Sequence, residues 1–171
     1  MRRKQIFLTA LFIVYIVFLI WAIMFKFSFS YAEIPFKRRF LNLKPFGYYF
    51  SFSSYTILRE IVLNFIIFLP FGGYLYMTGK MRFLHSLLTV GAASLLFEVL
   101  QYVFALGTSD ITDTIMNTAG GITGYLMTFC FAKITHDEEK TEILFLILAG
   151  AVTTGVLVWV MMMKMNGLIL F

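Results

Sequence analysis

The strongest constraint on this chain is a set of five long apolar runs joined by short polar segments. Runs of about 18 or more apolar residues predict membrane-spanning helices. The chain has 171 residues, of which only 13% are charged, and no segment between the runs is long enough for a soluble domain. The sequence therefore predicts an all-α, polytopic membrane protein, with one domain over residues 1–171 and a bundle of about five transmembrane helices. The predicted helices are about 6–25, 61–77, 83–106, 112–132 and 143–163.

The segments outside the helices have simple interpretations. The first run follows "MRRK" but is longer than the roughly 7–15 apolar residues of a signal peptide, which predicts an uncleaved helix. The charged stretch "HDEEKTE" from His136 is interpreted as a solvated loop between the last two helices. Cys130 is the only cysteine, which excludes an intrachain disulfide and a C-x-x-C metal motif.

The basic residues indicate both a partner and an orientation. The net charge of +5 comes from residues that flank apolar helices, which favours contact with membrane phospholipid and not with nucleic acid. With the N-terminus inside, the 14 Lys and Arg residues divide equally between the two sides. Arg2, Arg3 and Lys4 precede the first helix and only Lys26 directly follows it, which favours a cytoplasmic N-terminus.

This orientation places the long first loop, residues 26–59, outside the cytoplasm. The loop is predicted to be extended, basic and aromatic, and its segment "PFGYYFSFSSY" from Pro45 is expected to lie in the headgroup interface. A short re-entrant segment is the alternative. The loop residues that are candidates for binding a lipid headgroup are Arg38, Arg39, Lys44 and Arg59.

Polar residues recur on single faces of three predicted helices, and on the second these are Glu60 and Asn64, four residues apart. In an antiparallel bundle, the start of the second helix, the end of the third and the start of the fourth lie at the same membrane face, the face of the first loop. A short turn, "ALGTSD" from Ala105, joins the third helix to the fourth. Polar groups within a bilayer are costly and mark function or specific contacts. The candidate binding cluster consists of Asn64, Glu98, Gln101, Asp110, Asp113 and Asn117.

Each of these features also has a purely structural interpretation. Gly120 and Gly124 form a small-x-x-x-small face that favours close helix packing. Asp110 or Asp113 is predicted to be the N-cap of the fourth helix. Asn64 and Gln101 would then form hydrogen bonds between helices. Pro70 is expected to kink or unwind the second helix before Gly72.

The sequence assigns neither catalytic residues nor a metal site. His85 and His136 fall at the opposite end from the cluster, so a histidine base or histidine metal ligand is excluded there. Glu98 and Asp113 are expected to lie close together, where two carboxylates need a basic side chain, a shared proton or a divalent cation. Arg59 is one candidate partner for them. No cofactor is assigned, and a divalent cation is the candidate.

The motifs resemble those of the VanZ-like family of bacterial membrane proteins. The pattern N-x-x-x-F-x-P-x-G begins at Asn64, E-x-x-Q follows at Glu98, and D-x-x-D-x-x-x-N-x-x-G-x-x-x-G begins at Asp110. "LNLKPF" from Leu41 resembles a segment that often precedes them. The resemblance covers about residues 1–132 and implies a bacterial cytoplasmic membrane and a link to teicoplanin-type glycopeptide resistance. The chain departs from the family at Gly107, where many members have Arg.

Three functions remain open from the sequence. The first is binding of an envelope lipid or a lipid-linked cell-wall precursor at the outer leaflet, with basic loop residues on phosphate and the cluster on sugar or peptide. The second is an intramembrane, carboxylate-dependent enzyme acting on a lipid-linked substrate. The third is a structural or partner-binding bundle. Binding is favoured over catalysis because no nucleophile or tuned base is apparent.

Overall fold

The computed structural model describes residues 2–25, 38–46, 54–79 and 81–165. These residues form a helical bundle with one small sheet, which confirms the predicted fold class. In chain order the elements are α1 (Arg2–Met24), β1 (Arg38–Asn42), α2 (Ser54–Gly79), α3 (Phe83–Val103), β2 (Leu106–Asp110), α4 (Ile111–Thr135) and α5 (Glu138–Met165).

Within the described part of the chain, four helices are long and apolar enough to cross a membrane, and α4 is not one of them. The four candidate spans are Gln5–Met24, Leu58–Gly79, Phe83–Val103 and Glu138–Met165. Although α4 has 25 residues, it carries many Gly, Thr and polar side chains. It packs most extensively on α2 and next on α3. Helix α4 therefore buries its polar side against protein instead of lipid.

The helix boundaries differ from the predicted ones where local structure extends past the apolar run. Helix α2 begins at Ser54, seven residues before the predicted start, so Arg59 lies inside the helix. Helix α5 begins at Glu138, so most of the charged stretch predicted as a loop is helical. The side chain of Asp137 accepts hydrogen bonds from the backbone N–H groups of Glu139 and Lys140, and these bonds cap the N-terminus of α5.

Helix α2 continues without a break through Pro70, so the helix is not unwound there, which was one of the two expected effects of the proline. Proline leaves a carbonyl of the preceding turn without its helical donor, and in membrane helices neighbouring side chains compensate for such losses. The carbonyl without its donor is that of Ile66, and the hydroxyl of Tyr15, on α1, donates to the next carbonyl, that of Ile67. The contact also fixes α1 against the middle of α2.

The segment predicted as a turn between α3 and α4 is mostly a strand. Helix α3 ends at Val103, and β2 pairs in parallel with β1 from the first loop. The register pairs Arg38 with Leu106 and Asn42 with Asp110. Because parallel strands need a long crossover connection, α2 and α3 together serve as that crossover. The sheet lies at the end of the bundle where α3 ends and α4 begins.

Candidate functional site

The structure brings the polar ends of α2, α3 and α4 to one cavity. The cavity measures about 10 Å³, which is room for about one water-sized atom. Ala22 and Ile23 of α1 close its apolar side. Five of the six predicted cluster residues line it, and Glu60 is an additional polar lining residue. The polar lining is Glu60, Asn64, Glu98, Gln101, Asp113 and Asn117.

Glu98 connects the end of α3 to the start of α4. Its side chain is only 4% exposed, and its Oε2 atom accepts the backbone N–H of Asp110 at 2.7 Å. The hydroxyl of Ser109 donates to the backbone carbonyl of Glu98 at 3.1 Å. A hydrogen bond to a carboxylate is stronger than one between neutral groups. Glu98 therefore holds the last two residues of β2 in place.

Asp110, one of the two predicted candidates, is the N-cap of α4, and it also ties the two strands together. One carboxylate oxygen accepts the backbone N–H of Thr112 at 2.8 Å, which is the capping bond. The other accepts from the side-chain amide of Asn42, on β1, at 2.9 Å. The oxygen of the Asn42 amide in turn accepts the backbone N–H of Lys44, and the Thr112 hydroxyl accepts that of Phe46. This network fixes the first loop on the N-terminus of α4.

Two of the three amide side chains in the cluster, Gln101 and Asn117, make hydrogen bonds through their nitrogen atoms. Gln101 donates from Nε2 to the carbonyl of Ile23 at 2.9 Å, and Asn117 donates from Nδ2 to the hydroxyl of Ser94 at 2.9 Å. Both side chains are almost completely buried, at 2% and 0% exposed. Among the residues that the structure describes, the oxygen of each amide has no hydrogen-bond partner. Unpaired buried acceptors of this kind are rare in proteins and need an explanation.

The four basic residues proposed as headgroup-binding candidates do not share one environment. Arg59, a candidate both for headgroup binding and as a partner of Glu98 and Asp113, is buried inside α2. The reason is the early start of α2, which turns residue 59 into the bundle. Lys44 is exposed beyond the end of β1. Arg38 and Arg39 begin β1, and their side chains lie outside the described part of the chain, as does most of the aromatic segment that follows Phe46.

The Gly face of α4 lies directly against α2. A Cβ atom on Gly120 would be 2.1 Å from the carbonyl oxygen of Phe65, and one on Gly124 would be 1.8 Å from that of Leu69. Gly72 of α2 makes an equally close approach to the backbone of Gly121. These glycines let α2 and α4 meet backbone to backbone, which places the polar residues of α4 beside those of α2 and α3.

Gly107, the position of the family departure, has a conformational role in this chain. Its φ angle is 136°, a backbone conformation that glycine adopts readily and residues with a side chain rarely do. The residue lies in β2, paired with Arg39. An arginine at this position would therefore require a different path for the backbone at the start of β2.

A second, larger cavity opens between α1 and α3 at the same end of the bundle. It is an almost entirely apolar groove of about 600 Å³, and nothing in the sequence pattern distinguishes its walls from other lipid-facing residues. It extends from Ile16 and Ala93, near the middle of these helices, to Met24, Phe104 and Leu106 beside the sheet.

A third cavity, of about 790 Å³, lies at the opposite end of the bundle, where α4 meets α5. His136 lines it, and His85 is near the start of α3 at that same end, so neither histidine is near the polar cluster. Among the described residues, no three His, Cys, Asp or Glu side chains form a group that could hold a metal ion by themselves.

Two polar residues around the cluster, Asn42 and Ser109, were not predicted from the sequence. Asn42 and Ser109 are buried only because β1 and β2 pair, and that pairing joins segments 68 residues apart. The i, i+4 spacing of Glu60 and Asn64 did predict that both lie on one face of α2, but Glu60 was not included in the candidate cluster.

The fold and the site define a class of protein. A bundle of apolar helices that encloses a carboxylate and amide cluster at one end, beneath a two-stranded sheet, is a polytopic membrane protein with a buried polar centre. The family model described as VanZ/LLP1 matches residues 12–132, which contain the whole cluster and both strands. The chain belongs to the VanZ-like family, as the resemblance predicted.

A relative in this family is the protein VanZ of Enterococcus faecium. It is 41% identical to this chain over 112 residues, which cover 64% of this chain and 66% of the relative. The match thus spans slightly less than two thirds of that relative's length. No solved structure matches this chain.

Proposed function

We propose that this protein binds an envelope lipid or a lipid-linked cell-wall precursor at the outer leaflet, and that this binding underlies a role in teicoplanin-type glycopeptide resistance. The observation that carries the proposal is the apolar groove between α1 and α3. Its volume of about 600 Å³ falls within the range of about 300–1,000 Å³ that is typical of ligand sites. Family membership supplies the link to resistance.

The shape and position of the groove suit an amphiphile. Its walls would accept a hydrocarbon chain between Ile16 and Ala93, at the depth of the bilayer interior. Its other end reaches Leu106, the first residue of β2, which is paired with Arg38. Lys44 is exposed beyond the same sheet. A chain in the groove would therefore present an anionic headgroup to the basic residues of the first loop.

The polar cluster supports this proposal indirectly. Its cavity of about 10 Å³ has no room for a sugar or a peptide, so the ligand is assigned to the groove and the sheet. The bonds from Glu98 to Asp110 and from Asp110 to Asn42 hold the sheet at the mouth of the groove. The cluster then acts as a positioning element for the ligand-binding rim.

The test is native mass spectrometry of the purified protein, with a pair of variants on α3. Ala93→Phe fills the groove, whereas Ala92→Phe adds the same side chain at a neighbouring exposed position that does not line it. We expect the wild type and Ala92→Phe to carry a co-purified lipid and Ala93→Phe to lose most of it. Absence of bound lipid in the wild type, or equal loss in both variants, would contradict the proposal.

The resistance link has a separate test in cells. The minimal inhibitory concentration of teicoplanin is measured in a susceptible host that expresses each variant at matched membrane levels. Ala93→Phe is expected to abolish any increase given by the wild type, and Ala92→Phe to preserve it. An increase that survives Ala93→Phe would separate the resistance role from the groove.

A further inference from the structure

We infer that Gln101 is a positioning residue for the apolar groove between α1 and α3. Its amide holds the C-terminal end of α1 against α3, and it thereby sets the spacing of the groove walls and slows the exit of a bound hydrocarbon chain. The inference rests on the proposed function, because it concerns the same groove. It is carried by the hydrogen bond from Gln101 to the carbonyl of Ile23 and by the place of that bond beside the groove.

The acceptor is a carbonyl that α1 does not satisfy within itself. Helix α1 ends at Met24, and the last four carbonyls of an α-helix have no partner inside the helix. The N–H of Phe25 reaches back to the carbonyl of Trp21, whereas the carbonyl of Ile23 accepts Nε2 of Gln101 at 2.9 Å. Ile23 and Gln101 are both buried. Because the apolar interior of a bilayer supplies no water, a carbonyl that loses its donor there remains unsatisfied, which is costly.

The amide of Gln101 is committed to this bond. Because a carbonyl can only accept, the side chain must present its nitrogen to Ile23, and the two ends of the amide cannot be exchanged. Among the described residues, Oε1 of Gln101 has no hydrogen-bond partner. In this part of the chain, Gln101 is therefore held through α1 and not through its neighbours in the polar cluster.

The bond lies in the partition between the groove and the polar cavity. Ile23 and Gln101 line the polar cavity. The next residue of α1, Met24, and the preceding residue of α3, Leu100, line the groove. The bond therefore joins the two walls at the end of the groove that lies beside the sheet.

Helix α1 has a second polar attachment near its middle, where the hydroxyl of Tyr15 donates to the carbonyl of Ile67 on α2. It also packs more extensively on α2 than on α3. If the Gln101 bond is lost, α1 stays attached to α2 while its C-terminal end is free to move away from α3. That movement would widen the mouth of the groove and let a bound chain leave more quickly.

The test compares Gln101→Met with a matched control, Tyr125→Phe, in detergent. Methionine is unbranched and adaptable in packing, but it cannot donate a hydrogen bond to the Ile23 carbonyl. Tyr125→Phe also removes one hydrogen bond from a side chain to a backbone carbonyl, that of Met81 at 2.8 Å, but at the opposite end of the bundle. A difference between the two variants therefore reports on the place of the lost bond.

The spacing of the walls is measured by electron paramagnetic resonance without added lipid. Spin labels are attached after the substitutions Ile20→Cys on α1 and Val99→Cys on α3, two exposed positions, in a Cys130→Ala background. We expect one narrow distance distribution in the otherwise wild-type protein and in Tyr125→Phe. In Gln101→Met we expect a longer and broader one.

The exit of the lipid is measured on unlabelled protein, by native mass spectrometry at intervals during incubation with excess detergent. Gln101→Met is expected to lose co-purified lipid several-fold faster than the wild type, and Tyr125→Phe at the wild-type rate. Equal rates in Gln101→Met and the wild type, or faster loss in Tyr125→Phe as well, would overturn the inference.

The two measurements separate this inference from the proposed function. Absence of lipid in the wild type contradicts the proposed function, while the distance measurement still decides the role of Gln101. An unchanged distance distribution in Gln101→Met overturns the inference even if the wild type carries lipid. If Gln101→Met does not fold, a broad distribution in the labelled wild type overturns it as well, because an end of α1 that is held against α3 must give a narrow one.

Discussion

Replacing Gly124 by alanine provides a quantitative test of how α2 and α4 are packed. The added Cβ would lie 1.8 Å from the carbonyl oxygen of Leu69, whereas ordinary contact begins at 3.4 Å. One helix would have to retreat by about 1.6 Å, the difference between these two distances. The obstacle is backbone, so no side-chain rotation can relieve it. The α2–α4 pair is the most extensive helix contact in the bundle, and separating it affects most of the core.

The expected cost of Gly124→Ala follows from this geometry. Overpacking a well-packed interior costs about 1–3 kcal/mol and occasionally more, and a backbone clash of this size belongs at the upper end. For a chain of this length, each kcal/mol lowers the melting temperature by about 2–4 °C, so Gly124→Ala is expected to lower it by about 6–12 °C. Gly120→Ala, whose Cβ would lie 2.1 Å from the Phe65 oxygen, is expected to behave in the same way.

Helix α5 offers matched controls for these substitutions. Gly150 and Gly155 are exposed, and a Cβ on either would meet nothing within 4 Å. Their alanine variants are expected to have the same melting temperature as the wild type or a slightly higher one, because alanine has a higher helix propensity than glycine. All four variants are compared by thermal unfolding in the same detergent. If Gly124→Ala and Gly120→Ala unfold at the wild-type temperature, the close approach of α2 and α4 is refuted.

Three further predictions address the N-cap of α4, the orientation in the membrane, and Asp137 in the connection between α4 and α5. Asp110→Ala should cost about 1–2 kcal/mol of stability, measured by chemical unfolding, because it removes the α4 cap, whereas Asp110→Asn should retain most of it; equal losses would disprove the capping role. In a Cys130→Ala background, an impermeant thiol reagent on intact cells should label Lys44→Cys and not Lys140→Cys, and the reverse would invert the orientation. Hydrogen bonds from the backbone N–H groups of Lys140 and Glu139 lower the pKa of Asp137 from its ordinary value of 3.8. Because the folded-state pKa is depressed, this contribution to stability is present above the unfolded pKa and is lost as the pH falls through the folded value. The melting temperature of the wild type should therefore exceed that of Asp137→Asn at pH 5 and converge on it in acid, and a difference independent of pH would contradict this.

Much of the site could be predicted because helices in a membrane are determined locally. An apolar run of sufficient length forms a helix by itself, since its backbone bonds are satisfied within the segment. Alternation of direction then brings Asn64, Glu98 and Asn117 to one end without further information. The capping role of Asp110 also follows from its position just before the fourth run.

The burial of Arg59 and the enclosure of the cluster could not be predicted in the same way. Arg59 precedes the apolar run, and hydropathy gives no sign that α2 begins at Ser54. Gln101 and Asn117 could line either a large open site or a cavity with room for one water-sized atom. Which of the two forms depends on how closely α2 and α4 approach, and on which acceptor each amide nitrogen reaches. Those distances result from packing and not from the spacing of residues.

The sequence by itself determined the membrane bundle, the end at which its polar residues meet, and the family. The tertiary structure decided that the "ALGTSD" segment forms a strand with the first loop, and that Ser109, expected in an exposed turn, is buried at 4% exposure. The physical reason is the range of the interactions. A helix depends on contacts three or four residues apart, which a periodic pattern records, whereas a pair of five-residue strands 68 residues apart depends on a register that only the assembled bundle can provide.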